Sequence, residues 1–156
     1  MYLQLLSIQY MSKQLTKDTV ISILKCGYKV NDELSAMFKT HGISLPQFNV
    51  LRILRGRKGE AANLSTIQEQ MIHKMSNTTR LIDKLIEGGY VNRFVCKKNR
   101  RKIEIFITKK GLELLSSLDL QLDAKEQFLI NNLEDKEKEE LMRLLSKVQT
   151  SITSET

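Results

Sequence analysis

Apolar residues return every three or four positions along most of this chain, and strict alternation occurs once, late. Over residues 16–40 the recurring set is Val20, Leu24, Gly27, Val30, Leu34 and Met37, joined by Ile23 and Phe38. That spacing predicts one long amphipathic helix. Gly27 stands on its core-facing side, where the missing Cβ leaves room for a second helix to come close. Gly42 sits where a helix stop belongs. Ser44 with Gln47 has the spacing of a capping box, and Pro46 falls in the first turn, where its missing donor costs nothing. The helix that follows carries Phe48, Leu51 and Leu54 inward and ends at about Gly56; residues 55–59 form a loop. Asn63 is a good N-cap for a short helix whose Leu64, Ile67 and Met71 point inward, and residues 72–74 make a turn.

A further helix is predicted to start near Met75 and to stop at Gly88-Gly89. Leu81, Ile82, Leu85 and Ile86 share one face; Ser76, Asn77, Arg80, Asp83, Lys84 and Glu87 take the other. The exposed face thus has short hydrogen-bonding groups near its N-terminus and cations behind them. A helix end that enters the DNA major groove needs this composition. Next, YVNRFVC is rich in β-formers, and KIEIFIT alternates. Ile103, Ile105 and Ile107 face one way; Lys102, Glu104, Phe106 and Thr108 face the other. The tip between these strands, Lys97, Lys98, Asn99, Arg100, Arg101 and Lys102, holds five cations in six positions. A solvated loop is the bland reading. So many like charges repel one another, and directly after a helix of this kind a polyanion partner is the more economical explanation.

After the hairpin, Thr108 can cap a long helix. Leu112, Leu115, Leu118, Leu122, Leu129 and Leu133 form a seam at roughly heptad spacing, broken at Lys125. Asn131-Asn132 weaken its end. Glu134 and Asp135 begin a last helix at the positive end of its dipole, and Leu141, Leu144, Leu145, Val148 and Ile152 are its apolar face. The fold class is therefore mainly α with a small antiparallel β wing (α+β). The seams at both ends exceed what so small a middle can cover, and a symmetric second copy supplies the missing surface.

Charge is divided along the chain. Residues 45–59 hold 4 cations and no anion, and residues 60–111 hold 11 cations and 5 anions. Residues 112–156 hold 5 cations and 10 anions. A basic middle beside an acidic tail is the footprint of a nucleic-acid-binding module attached to something that faces elsewhere.

Other chemistry finds little support. No apolar run is long enough to cross a bilayer, and the first residues lack the cations and cleavage site of a signal peptide, so a cytoplasmic protein is expected. Met11 is a second candidate start. Cys26 and Cys96 match neither a disulfide framework nor a metal site. Beside core-facing Gly27, Cys26 reads as a buried thiol; Cys96 reads as structural. His41 and His73 have no triad partner placed in sequence, and His73 reads as a turn residue or phosphate contact. No phosphate loop or metal loop occurs. No enzyme and no cofactor are expected.

The runs LPQFNVLRIL, NLSTIQEQM, SNTTRLIDKLIEGGYVNRF and NRRKIEIFITKKG resemble the MarR family of winged helix-turn-helix transcriptional regulators over residues 45–145. The resemblance rests on Leu45-Pro46-Gln47, on Thr79-Arg80 with Asp83-Lys84-Leu85, on Gly89-Tyr90-Val91, on Arg100-Arg101 and on Thr108 with Gly111. The family usually has Asp before the two arginines, where this chain has Asn99, which can still cap the turn. The resemblance implies an extension over residues 1–15, a dimerisation helix over 16–44, a winged helix-turn-helix domain over 45–111 and dimerisation helices over 112–156. It implies a homodimer on a pseudo-palindromic double-stranded site, acting as a repressor released by a small-molecule effector. Ser76, Asn77, Thr79 and Arg80 would approach bases, with Lys84 and Lys74 on phosphates. Arg100 and Arg101 would enter the minor groove, and Lys97, Lys98 and Lys102 would add affinity. An effector pocket would lie between the dimer helices and the winged core, lined by Tyr28, Phe38, His41 and Phe48. Two other readings remain: a winged-helix module for protein or RNA contacts, and a thiol-based regulator that senses peroxide through Cys26.

Overall fold

The computed structural model describes residues 2–72, 77–96 and 102–153, with side chains described within residues 11–152 of those ranges. In chain order the elements are α1 (Tyr2–Thr40), α2 (Leu45–Gly56), α3 (Leu64–Gln70), α4 (Thr78–Glu87), β1 (Val91–Val95), β2 (Ile103–Ile107), α5 (Lys109–Leu129) and α6 (Asp135–Thr153). The expected class, mainly helical with one antiparallel hairpin, is the one observed. The chain divides into two compact units, Met1–Leu118 and Asp119–Thr156.

In the first unit α2 is the hub, packing against α1, α3, α4 and β2. Its start follows from local chemistry. The Ser44 side chain accepts from the Gln47 backbone, the Gln47 side chain accepts from the Ser44 backbone, and Pro46 occupies the first turn. This capping box satisfies donors that the first helical turn would otherwise leave open. Phe48, Leu51 and Leu54 are buried, as their spacing requires, and Phe38 of α1 stacks on Phe48 with ring centroids 4.2 Å apart. Asn63 caps α3, its Oδ1 accepting from the Thr66 backbone at 2.8 Å.

The long helix begins earlier than expected, at Tyr2 rather than near residue 16. No glycine or proline precedes Gly27, so nothing in the sequence interrupts it. One further expectation is corrected: Cys26 is exposed, not buried. A Cβ added at Gly27 would meet nothing within 4 Å, so among the described residues none fills the space left there.

Strands β1 and β2 pair antiparallel with Val91 opposite Ile107 and Val95 opposite Ile103. Ala62 adds a one-residue third rung on Ile105, with backbone bonds of 3.0 and 2.8 Å. Burial along β2 is graded: Ile105 is in the core, Ile107 half-buried and Ile103 exposed toward the tip.

The turn behind α4 is held by the start of α5. Thr108 Oγ1 donates to Gly89 O at 2.8 Å and accepts from the Gly111 backbone at 3.1 Å. Lys110 Nζ donates to Gly88 O at 2.8 Å and lies 4.9 Å from the Tyr90 ring centroid. Gly89 has a φ of +74°, which glycine adopts without strain. Gly111 backs directly onto Tyr90; a Cβ there would lie 2.5 Å from the Tyr90 carbonyl oxygen.

The second unit holds the later turns of α5, a turn at 130–134, and α6. The Glu134 backbone N–H donates to Glu137 Oε2 at 2.8 Å, closing the first turn of α6. Asp135 and Glu137 lie at its positive end. Leu141, Leu144, Leu145, Val148 and Ile152 are all exposed.

Candidate nucleic-acid interface

Helix α4 sorts its residues cleanly. Thr78, Ile82 and Leu85 are buried, while Asn77, Thr79, Arg80, Lys84 and Glu87 are exposed. The inward residues dock on α2, and the opposite face presents an amide, a hydroxyl, a guanidinium and an ammonium in order from the N-terminus. That order suits bases near the helix start and phosphates further back.

The helix begins later than its periodicity predicts. Asn77, at φ −107° and ψ 24°, is the N-cap residue, makes no side-chain cap bond, and is followed by Thr78 as the first helical residue. Thr78 is fully buried and its Oγ1 donates to Met71 Sδ at 3.9 Å. A tertiary contact thus helps fix where the helix starts, and local spacing cannot reveal it. His73, Lys74 and Ser76, and the start expected near Met75, lie outside the described residues.

The hairpin is joined to this helix by an ion pair. Arg93 Nη1 of β1 donates to Asp83 Oδ1 of α4 at 2.8 Å. Neither residue stood out in the sequence as a structural pair. Opposite charges ten positions apart, one on a helix and one on the next strand, are the only signal, and it becomes useful only once the strand register is known. At the far end of the hairpin the Cys96 backbone donates to Lys102 O at 2.9 Å. Lys102 is exposed there. Lys97, Lys98, Asn99, Arg100 and Arg101 lie outside the described residues.

Two hollows flank α2. One, of about 520 Å³, is lined by Arg52, Ile53, Gly56, Arg57, Lys58, Glu60 and Gln70. Arg57 there is engaged, its Nε donating to Ala61 O at 2.9 Å and its Nη2 to Glu60 at 3.2 Å. The other is smaller and more apolar, about 240 Å³, between α1, the start of α2 and the residues after α3. Gly27, Val30, Asn31, Leu34, Leu45, Pro46, Asn49, Met71 and Ile72 line it. The four residues expected at an effector pocket do not line this cavity. Phe38 and Phe48 stack in the core, Tyr28 is exposed and His41 is half-buried.

Comparison with known proteins accords with this geometry. The MarR family model matches residues 43–103. The HTH-type transcriptional regulator PapX of Escherichia coli is 27% identical over 110 residues, covering 70% of this chain and 67% of PapX. A MarR-like transcription regulator from Bacillus cereus ATCC 10987 superposes with a TM-score of 0.78 at 23% identity, over 87% of this chain and 96% of that one. A mutant MarR from E. coli, solved in complex with operator DNA, superposes with a TM-score of 0.73 at 24% identity, over 81% and 89%.

Proposed function

We propose that the chain is a winged helix-turn-helix transcriptional regulator of the MarR family, whose model matches residues 43–103, and that it acts as a homodimeric repressor. It binds a pseudo-palindromic double-stranded operator and is released by a small-molecule effector. The observation that carries the reading is the exposed face of α4, with Asn77, Thr79, Arg80 and Lys84 turned away from a core that holds Thr78, Ile82 and Leu85. Ser76, Asn77, Thr79 and Arg80 approach base edges, and Lys84 holds a phosphate. Arg100 and Arg101 enter a flanking minor groove, where a narrow A·T-rich stretch concentrates negative potential. Lys97, Lys98 and Lys102 add sequence-independent affinity.

Dimerisation is supported by apolar side chains that this chain leaves exposed. On α1 they include Leu15, Val20, Leu24 and Tyr28; on α6 they include Leu141, Leu144, Leu145, Val148 and Ile152. A two-fold partner would cover such rows and set the two α4 helices about 34–36 Å apart, one turn of DNA. The relative solved with operator DNA supports the same use of the fold.

Selection of bound fragments from genomic DNA, followed by sequencing, tests the proposal. The expected result is a motif with two-fold symmetry, bound with an affinity that falls steeply as salt rises. Recovery of DNA with no shared motif would favour a protein- or RNA-contact module instead. Exposed Cys26 makes the thiol reading testable too. If peroxide releases the wild type from its operator, Cys26→Ser distinguishes oxidation at that thiol from oxidation elsewhere.

A further inference from the structure

Residues 45–59 hold 4 cations and no anion, and none of the four belongs to α4 or to the hairpin. Three of them, Arg52, Arg57 and Lys58, line the hollow at the C-terminal end of α2, where Glu60 is the one carboxylate among the described residues. The hollow measures about 520 Å³, inside the range of roughly 300–1,000 Å³ typical of small-molecule sites. Ile53, only 8% exposed, is its apolar part, and Gln70 at the end of α3 adds a carboxamide. Like charges gathered round a concavity repel one another, and an anion seated there relieves the repulsion.

Two local features fit a built site better than a solvated loop. Arg57 is held in place, its Nε donating to Ala61 O at 2.9 Å and its Nη2 to Glu60 Oε2 at 3.2 Å. Its guanidinium is therefore ordered before any ligand arrives and loses less freedom on binding. Lys58 has a φ of +51°, and among the described residues it is the one non-glycine residue with a positive φ. That conformation strains a lysine and not a glycine. A glycine would serve the turn with less strain, so an exposed cation kept there points to use. Guanidinium and ammonium groups around one hollow suit a compact centre with several acceptor oxygens, which a phosphate offers and a planar carboxylate offers less well.

We propose that this hollow is a phosphate-binding site held by Arg52, Arg57 and Lys58, separate from the exposed face of α4, with room for a small apolar body against Ile53. The phosphate belongs either to a free phosphomonoester or to duplex backbone flanking the operator. The site goes beyond the regulator reading, and phosphate binding at it does not depend on that reading.

The test titrates the full chain with phenyl phosphate and, separately, with phenylmalonate, two dianions at mildly alkaline pH that share a ring and differ in the charged group. The amide signals of Gly56 and Gly59 report locally. Phenyl phosphate is expected to shift both saturably, about tenfold more tightly than phenylmalonate. Arg52→Gln and Lys58→Gly should each weaken it about tenfold, read at Gly56. Lys58→Gly should melt no lower than wild type, because it relieves strain. Glu60→Gln removes the opposing charge and should tighten binding.

A second arm compares the selected operator trimmed to its motif with the same operator extended by about one turn at each end. Loss of affinity in Arg52→Gln and Lys58→Gly on the extended duplex alone assigns the phosphate to the backbone. Wild-type affinity of both variants on both duplexes assigns it to a free ligand. Loss on the trimmed duplex as well overturns the separation from the DNA-facing surface. No saturable shift at Gly56 and Gly59, or shifts confined to α4, overturns the site. Equal or tighter binding of phenylmalonate overturns the class. Undiminished binding in both variants, or weaker binding in Glu60→Gln, overturns the assigned residues. If the chain binds no duplex, the regulator reading fails, and the phosphate titration still decides the site.

Discussion

Arg93 and Asp83 meet at 2.8 Å, the guanidinium of β1 donating to the carboxylate of α4. The pair joins the helix with the polar outer face to the first strand of the hairpin. Both side chains are about two-fifths exposed, so water and salt screen the attraction. A double-mutant cycle with Asp83→Ala and Arg93→Ala should give a coupling energy of about 0.2–1 kcal/mol in thermal or urea unfolding. On the proposed function the same cycle read on operator affinity should show coupling too, because the pair would orient one DNA-facing element against the other. Purely additive losses in both measurements would sink that role.

Arg80 and Arg101 are expected to fail in different ways. Arg80→Ala should relax base preference at one position of each half-site, costing roughly 1–3 kcal/mol there. Arg101→Ala should weaken binding across all sequences and lower the salt slope by about 1 per lost phosphate contact. Binding to a randomised operator library at several salt concentrations separates the two outcomes.

Gly111→Ala tests the seat of α5. The new Cβ would lie 2.5 Å from the Tyr90 carbonyl oxygen and 2.8 Å from Ile107 Cγ1, so backbone must move. Overpacking of this kind costs about 1–3 kcal/mol, and a chemical denaturation midpoint should fall accordingly. An unchanged midpoint would mean that α5 does not sit this close to Tyr90.

Acid should weaken α6 for a defined reason. The hydrogen bond from Lys138 chiefly lowers the Asp135 carboxyl below its ordinary value of 3.8, and the hydrogen bond from Arg143 chiefly lowers Glu140 below 4.5. Folding depresses both, so their stabilisation is complete above those ordinary values and is lost as pH falls through the folded ones. Glu140→Gln should melt slightly below wild type at neutral pH, and the gap should close as pH falls below 4.5 through the lowered folded value. A gap that stays constant with pH would exclude the ion pair as its source.

What could be read in advance was local. Ser44, Pro46 and Gln47 define their helix start within four residues, Asn63 does the same, and Thr108 caps α5 as its position suggests. Ile82 and Leu85 announce the buried side of α4 by spacing alone. What could not be read depends on distant partners. The Phe38–Phe48 stack joins two aromatics from separate helices in the core, and the Thr78–Met71 contact helps set the start of α4. Cys26 looked buried because Gly27 beside it looked core-facing, yet the wall at Gly27 is open. Whether an apolar row on a helix is core or unpartnered surface is also undecided by its period, as α6 shows.

The fastening of Gly88, Gly89 and Tyr90 to Thr108 and Lys110 bears on how tolerant an operator can be. One extra base pair between two halves turns the second about the duplex by about 34–36°. A probe pinned at its rear has no slack with which to follow that rotation. Single insertions at the centre of the operator therefore separate a protein that engages both halves at once from one that engages either half alone.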